Sequence, residues 1–206
     1  MKLPTTRRHW VLTLLLSTGI SIQGCDRDEC GCGRIEGNYF DIKGISADNF
    51  KKRGTCCSDR VSSGQEVKLE DYSLIVRYSV SYFSRQTHQN HQAPFSLISQ
   101  AYACTCRTNG GLGSKEKLKS FTVVTLNNFD AQHQANDTIN DLLTISTASG
   151  AFDLSTGIKT DTTSIKQTDY SLLLKKKPVA DFAARISVEL QNGEVYTSTT
   201  ESVRIR

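Results

Sequence analysis

Apolar residues recur at every second position through the most regular stretches of this chain, and that period commits it to strands. Within residues 74–83, Val76, Tyr78, Val80 and Tyr82 share one face while Arg77, Ser79 and Ser81 take the other, as in a half-buried strand. Residues 182–190 repeat the pattern, with Phe182, Ala184, Ile186, Val188 and Leu190 facing one way. Gln191-Asn192-Gly193-Glu194 follows, and Asn-Gly is a strong hairpin signal in which both central residues take positive φ. The returning strand is 195–200, extendable to Ile205. Further strands are predicted at 39–45, 95–104, 118–126 and 170–175. A single short helix is expected near 138–144, with Thr138 as its N-cap and Asp141 in its first turn. Pro178 falls between two strand runs, where a missing amide donor does least harm.

Six or seven strands with hairpin chemistry and almost no helix predict an all-β fold, a two-sheet antiparallel sandwich of the immunoglobulin-like class. A closed barrel is the alternative. The sole tryptophan, Trp10, precedes every strand, so the antibody-type Cys-Trp-Cys pin is absent.

The N-terminus reads as an address. Lys2, Arg7 and Arg8 precede an apolar run over residues 10–22, which closes on Ile22-Gln23-Gly24-Cys25. A basic start, a short apolar stretch and a small residue at the cut describe a secretory signal. A cysteine directly after that small residue resembles a bacterial lipobox, in which Cys25 is acylated and becomes the first mature residue. Gln23 stands where a smaller residue is usual, and ordinary signal-peptidase cleavage is the plain alternative. The run falls short of the roughly 20 residues that span a bilayer. Residues 1–24 are thus expected to be a lipoprotein signal peptide, 25–38 a lipid-anchored tether and 39–206 a single sandwich domain. Lys2, Arg7 and Arg8 leave with the signal, taking the formal charge from +4 to +1. The apparent basicity belongs to targeting, and nucleic acid is not an expected partner.

Six cysteines remain after Cys25, in three close pairs: Cys30 and Cys32, Cys56 and Cys57, Cys104 and Cys106. An even number in an exported chain reads as a disulfide framework. Bridges within a pair are disfavoured, since bridged Cα atoms usually lie about 4.4–6.8 Å apart and adjacent ones only about 3.8 Å. Long-range bridges are expected, joining Cys56 or Cys57 to Cys104 or Cys106. A soft-metal site is the rival, although no pair has the C-x-x-C spacing of zinc knuckles.

Catalytic signatures are sparse. His88 and His91 lie in a Gln-rich stretch that reads as a polar loop. Asp130, His133 and Asp137 are the densest set of potential metal ligands, in an Asn/Asp-rich connection without the EF-hand pattern. No G-x-S-x-G elbow occurs. Asn109-Gly-Gly-Leu-Gly113-Ser-Lys115 lacks the P-loop spacing and reads as a flexible loop. Lys175-Lys176-Lys177 reads as a lysine-blunted strand edge.

Tyr39-Phe40-Asp41-Ile42, Ala101-Tyr102-Ala103-Cys104, Phe129-Asp130, Ile139-Asn140-Asp141 and Lys177-Pro178 together resemble an uncharacterised domain-of-unknown-function family of Bacteroidota-type lipoproteins. The resemblance runs from about residue 25 to 206. It implies a cell-envelope, outer-membrane lipoprotein, facing either the surface or the periplasm; Asp26, Asp28 and Glu29 after Cys25 fit surface display. Such bacteria O-glycosylate Asp-Ser/Thr-apolar sequences, and Asp137-Thr138-Ile139 resembles one. Thr138 is therefore both a glycosylation candidate and the expected helix cap.

The functional expectation is a lipid-anchored, non-enzymatic binding or structural module without a cofactor. Its partners would be the membrane, through acyl chains, and an envelope protein or glycan. Tyr39, Phe95, Tyr102 and Tyr196 are available to a glycan, though each also suits a core. The alternative is a redox or metal-binding protein or an enzyme built on Cys104 and Cys106 or on the Asp130/His133/Asp137 region.

Overall fold

The computed structural model describes residues 36–53, 57–84, 108–147, 150–158 and 165–206. The expected signal peptide, Cys25, Cys30, Cys32, Cys56, Cys104, Cys106, His88, His91 and the strand expected at 95–104 lie outside them. Cys57 enters only through its backbone, so the disulfide expectation also falls outside. The described residues belong to one compact unit, Glu36–Arg85 with Thr108–Arg206.

The fold is an all-β sandwich. Its larger sheet contains β1 (Tyr39–Arg53), β2 (Cys57–Arg60), β4 (Tyr72–Phe83), β6 (Leu143–Thr147), β7 (Gly150–Asp153) and β8 (Asp169–Leu174). Their order is β2-β1-β4-β8-β6-β7, with every pairing antiparallel. The smaller sheet has the order β10-β9-β5, from β5 (Leu118–Thr125), β9 (Ala184–Leu190) and β10 (Val195–Thr199). β3 (Glu66–Val67) and β11 (Arg204–Ile205) form a short parallel pair.

Alternation places the core as expected over most of its length. Val76, Tyr78, Ile186, Val188 and Leu190 are buried in one apolar cluster with residues from both sheets. Val80 and Tyr82 are only half-buried, because β8 pairs with β4 no further than Arg77 and leaves its far end less covered. Aromatic rings bridge the layers: Tyr170 on β8 makes edge contacts with Tyr78 and with Phe121 on β5. Burial holds the Tyr78 hydroxyl far above its ordinary value and pushes Tyr170 up to about 12. Val188→Ala is expected to cost about 1–3 kcal/mol from lost burial and a partly relaxed cavity. Ser79→Ala, on the solvent face of β4, should change stability by about 0.5 kcal/mol or less. Denaturant melts in which the two cost the same would contradict this packing.

Several local expectations are corrected. β1 runs on to Arg53, well past the short strand expected, because it keeps its ladder to β4 across a register shift between Ile42 and Gly44. The β9–β10 hairpin forms where Asn-Gly predicted it, but only Gly193 takes a positive φ, of 89°. The Asn192 side chain instead accepts a hydrogen bond from the Glu194 amide at 3.0 Å.

The helix expected near 138–144 is reduced to one 3-10 turn, Asn140–Leu142, which runs directly into β6. Thr138 caps nothing. Its backbone instead bridges Val124 beside β5, and the Ile139 amide donates to the Val123 carbonyl at 2.9 Å. Backbone committed to that edge cannot close a helical turn.

Side chains finish both sides of the sandwich. Asn140 acts as a substitute strand for β5: Oδ1 accepts from the Val123 amide and Nδ2 donates to the Phe121 carbonyl, each at 2.8 Å. Across the molecule, the Ser198 hydroxyl accepts from the Ala47 amide at 3.0 Å and the Tyr196 hydroxyl donates to the Ile42 carbonyl at 2.9 Å. These two bonds join β10 to β1. Among the described residues, no helix is long and apolar enough to cross a membrane.

Candidate functional site

The densest polar arrangement lies in the connection after β5, residues 126–139. Asn and Asp fold this segment on itself through side-chain-to-backbone bonds, the mechanism that favours them in turns. Asp130 Oδ1 accepts from the Gln132 and His133 amides, both at 2.8 Å. Asp137 Oδ2 accepts from the Gln134 amide at 2.7 Å, and Asn128 Oδ1 from the Ala135 amide at 3.0 Å. Asn136 takes the left-handed conformation, φ 73°, that such a tight return demands. The Thr125 amide donates to the Asp137 carbonyl at 3.0 Å and pins the exit of the loop to β5.

Asp130 and His133 come together as their spacing suggested, with His133 Nδ1 3.0 Å from Asp130 Oδ1. Asp137 does not join them, because its carboxylate faces its own loop. The third and fourth members are Asp141 and Lys176. Asp141 Oδ2 lies 3.3 Å from His133 Nε2, and Lys176 Nζ lies 2.5 Å from Asp130 Oδ2. Lys175 is also engaged, donating to the Asp141 carbonyl at 2.6 Å and lying 2.7 Å from Asp153. The lysine run before Pro178 therefore fastens the β8–β9 connection to this loop. Lys176, followed by the amides of Gln132 and His133 and the His133 side chain, holds the Asp130 carboxyl well below the ordinary carboxylate range against a smaller opposing effect of desolvation.

With Oδ1 taking three donors and Oδ2 facing an ammonium, the Asp130 carboxylate has little left to offer a cation. Among the described residues, no group of three or more His, Cys, Asp or Glu is placed to hold a metal ion. The chemistry of the cluster is cross-linking, tying loop, 3-10 turn and β8–β9 connection together. A depressed carboxyl stabilises the fold above its unfolded value of 3.8 and loses that contribution as acid protonates it. The wild type is therefore expected to lose more stability than Asp130→Asn as pH falls below about 4. Equal acid sensitivity in urea melts would remove the carboxylate from the account.

The other singled-out residues sit apart from this cluster. Thr138 is exposed on its bridge to β5, open to modification now that it caps no helix. The Asn109–Lys115 turn packs its Gly110 (φ 70°) against Phe40 and Tyr82, where a Cβ would meet Phe40 at 2.8 Å. That loop is structural and runs beside the start of β1 through the parallel bridge of Phe40 with Ser114. Tyr39 stacks on Phe83 with ring centroids 5.8 Å apart. Tyr196 serves the junction of β10 with β1.

A second polar cluster, which sequence reasoning missed, lies on the outer face of the larger sheet. Asp48 holds Arg60 at 2.6 Å and Arg77 at 3.7 Å, and the Arg77 guanidinium lies over the Phe50 ring, 5.0 Å from its centroid. Its members come from three strands, so only the register of β1, β2 and β4 assembles them. No family model, no curated protein and no solved structure matches this chain.

Proposed function

We propose that this chain is a lipid-anchored cell-envelope protein whose sandwich acts as a non-catalytic binding or structural module. The observation that carries the proposal is Gly24-Cys25 at the end of the apolar run over 10–22, behind Lys2, Arg7 and Arg8. One acyl chain gives only marginal membrane binding, whereas two or more make an anchor lasting. A binding or scaffolding role is favoured by the way the most site-like polar cluster is spent: Asp130, His133, Asp141 and Lys176 face one another. Metabolic labelling with a fatty-acid analogue is expected to mark the wild type and to vanish in Cys25→Ser. Equal labelling of the two would reject the anchor.

A further inference from the structure

The chain contains two Asn-Gly bonds, Asn109-Gly110 and Asn192-Gly193. Glycine has no Cβ to shield its amide nitrogen, so at each bond the asparagine side chain can cyclise onto the main chain and lose ammonia. Both glycines take positive φ, 70° at Gly110 and 89° at Gly193. Both of their amides donate, Gly110 to the Gly37 carbonyl at 2.9 Å and Gly193 to the Leu190 carbonyl at 3.0 Å. Both asparagine Oδ1 atoms accept, from the Glu36 amide at 2.9 Å and from the Glu194 amide at 3.0 Å. Cyclisation therefore requires either turn to open first.

The two turns differ in what opening breaks. Around Asn109 the bonds reach a segment far away in sequence, and the Leu112 amide adds another, to the Asn38 carbonyl at 2.8 Å. Gly110 is buried against Phe40 and Tyr82, so freeing its nitrogen means lifting residues 36–40 from the loop and uncovering a core ring. The bonds that hold Asn192 and Gly193 close within residues 190–194. Gly193 is exposed, with open space where a Cβ would stand. Local bonds at an exposed tip open by fraying, whereas long-range bonds over a core yield only to a larger unfolding.

We propose that Asn192 is a site of spontaneous deamidation in the folded protein and that the fold protects Asn109; this goes beyond the anchored-module reading and does not depend on it. The Gly193 nitrogen, after losing its proton to solvent base, bonds to Asn192 Cγ. The Cγ–Nδ2 bond breaks and ammonia leaves with a proton from water. Water then opens the succinimide at either carbonyl, giving aspartate or isoaspartate. Isoaspartate inserts one carbon into the main chain between β9 and β10. Either product adds a carboxylate beside Glu194, whose own carboxylate lies 3.2 Å from the Tyr196 hydroxyl.

The test incubates the intact protein at mildly alkaline pH, folded and in denaturant, and follows two peptides by mass after cleavage at lysine and arginine. Residues 186–204 contain Asn192 as their only asparagine, and residues 108–115 contain only Asn109. In the folded protein, 186–204 should deamidate about tenfold faster than 108–115 or more. In denaturant the two rates should fall within about threefold of each other. The acidic form that accumulates in the folded wild type should be absent from folded Asn192→Ser. Equal or reversed rates in the folded state, the same gap persisting in denaturant, no reaction at 186–204 while the denatured chain reacts, or an undiminished acidic form in Asn192→Ser would each overturn the proposal.

Discussion

Phe182→Ala is expected to cost about 3–5 kcal/mol of stability, enough to unfold a large share of a marginally stable domain. Phe182 is 1% exposed and lies between two other rings, with Tyr72 and Phe129 meeting it edge-on at 5.9 and 6.0 Å. Tyr72 belongs to the larger sheet, and Phe129 to the loop that carries Asp130 and His133. The Phe182 backbone exchanges hydrogen bonds with Val203 at 2.7 and 2.9 Å. Truncation would therefore open a cavity where sheet, loop and C-terminal segment meet, and the bonded backbone there has little room to collapse. Denaturant melts should show a lower midpoint with an unchanged slope. Phe152→Ala supplies the contrast: that ring is 45% exposed on β7, and its loss should cost only about 0.5 kcal/mol. Equal costs for the two would refute the bridging role of Phe182.

Asn140→Ala carries the second large effect, about 2–4 kcal/mol, because it orphans two backbone groups at once. The Val123 amide and the Phe121 carbonyl belong to buried residues, 0% and 6% exposed, and the Asn140 amide bonds both. Removing one partner of these part-buried bonds incurs much of the desolvation cost of the group left behind, whereas a surface turn bond is replaced by water. Asn128→Ala, which removes the exposed bond to the Ala135 amide, should therefore change stability by roughly 0.5 kcal/mol. Hydrogen exchange gives an independent reading: the Val123 amide should exchange slowly in wild type and much faster in Asn140→Ala. Unchanged protection at Val123 would show that Asn140 does not close the β5 edge.

Charge tells a similar story at longer range. His133 and Asp130 are three residues apart, and their pairing was legible because Asn- and Asp-rich stretches fold locally. Asp137 looked equally well placed, yet its shortest route was to the amide of Gln134 in its own loop. Lys176 could not be assigned from its neighbours, since a lysine run before a proline serves a strand edge as readily as an ion pair. The Asp48–Arg60–Arg77 group left no trace in any window, because its members are neighbours only once three strands are in register.

What the order of residues determined by itself is the strand framework. β4, β5, β8 and β9 carry their own apolar period, and a side chain's inward or outward direction follows from its parity along the strand. The Asn-Gly turn likewise placed its hairpin without tertiary help. Only the folded molecule decided the rest. β2, β3, β6, β7 and β11 are too short or too polar to show a period, and they exist because a partner strand supplies their hydrogen bonds. Residues 138–144 show the same override, since the tertiary bonds of Ile139 and Asn140 to β5 outweigh a helix cap at Thr138, which would contribute about 1 kcal/mol. Local preference is weak and short-ranged, whereas an unpaired backbone group at a buried edge costs about 1–3 kcal/mol, so wherever the two conflict the sheet edge determines the conformation.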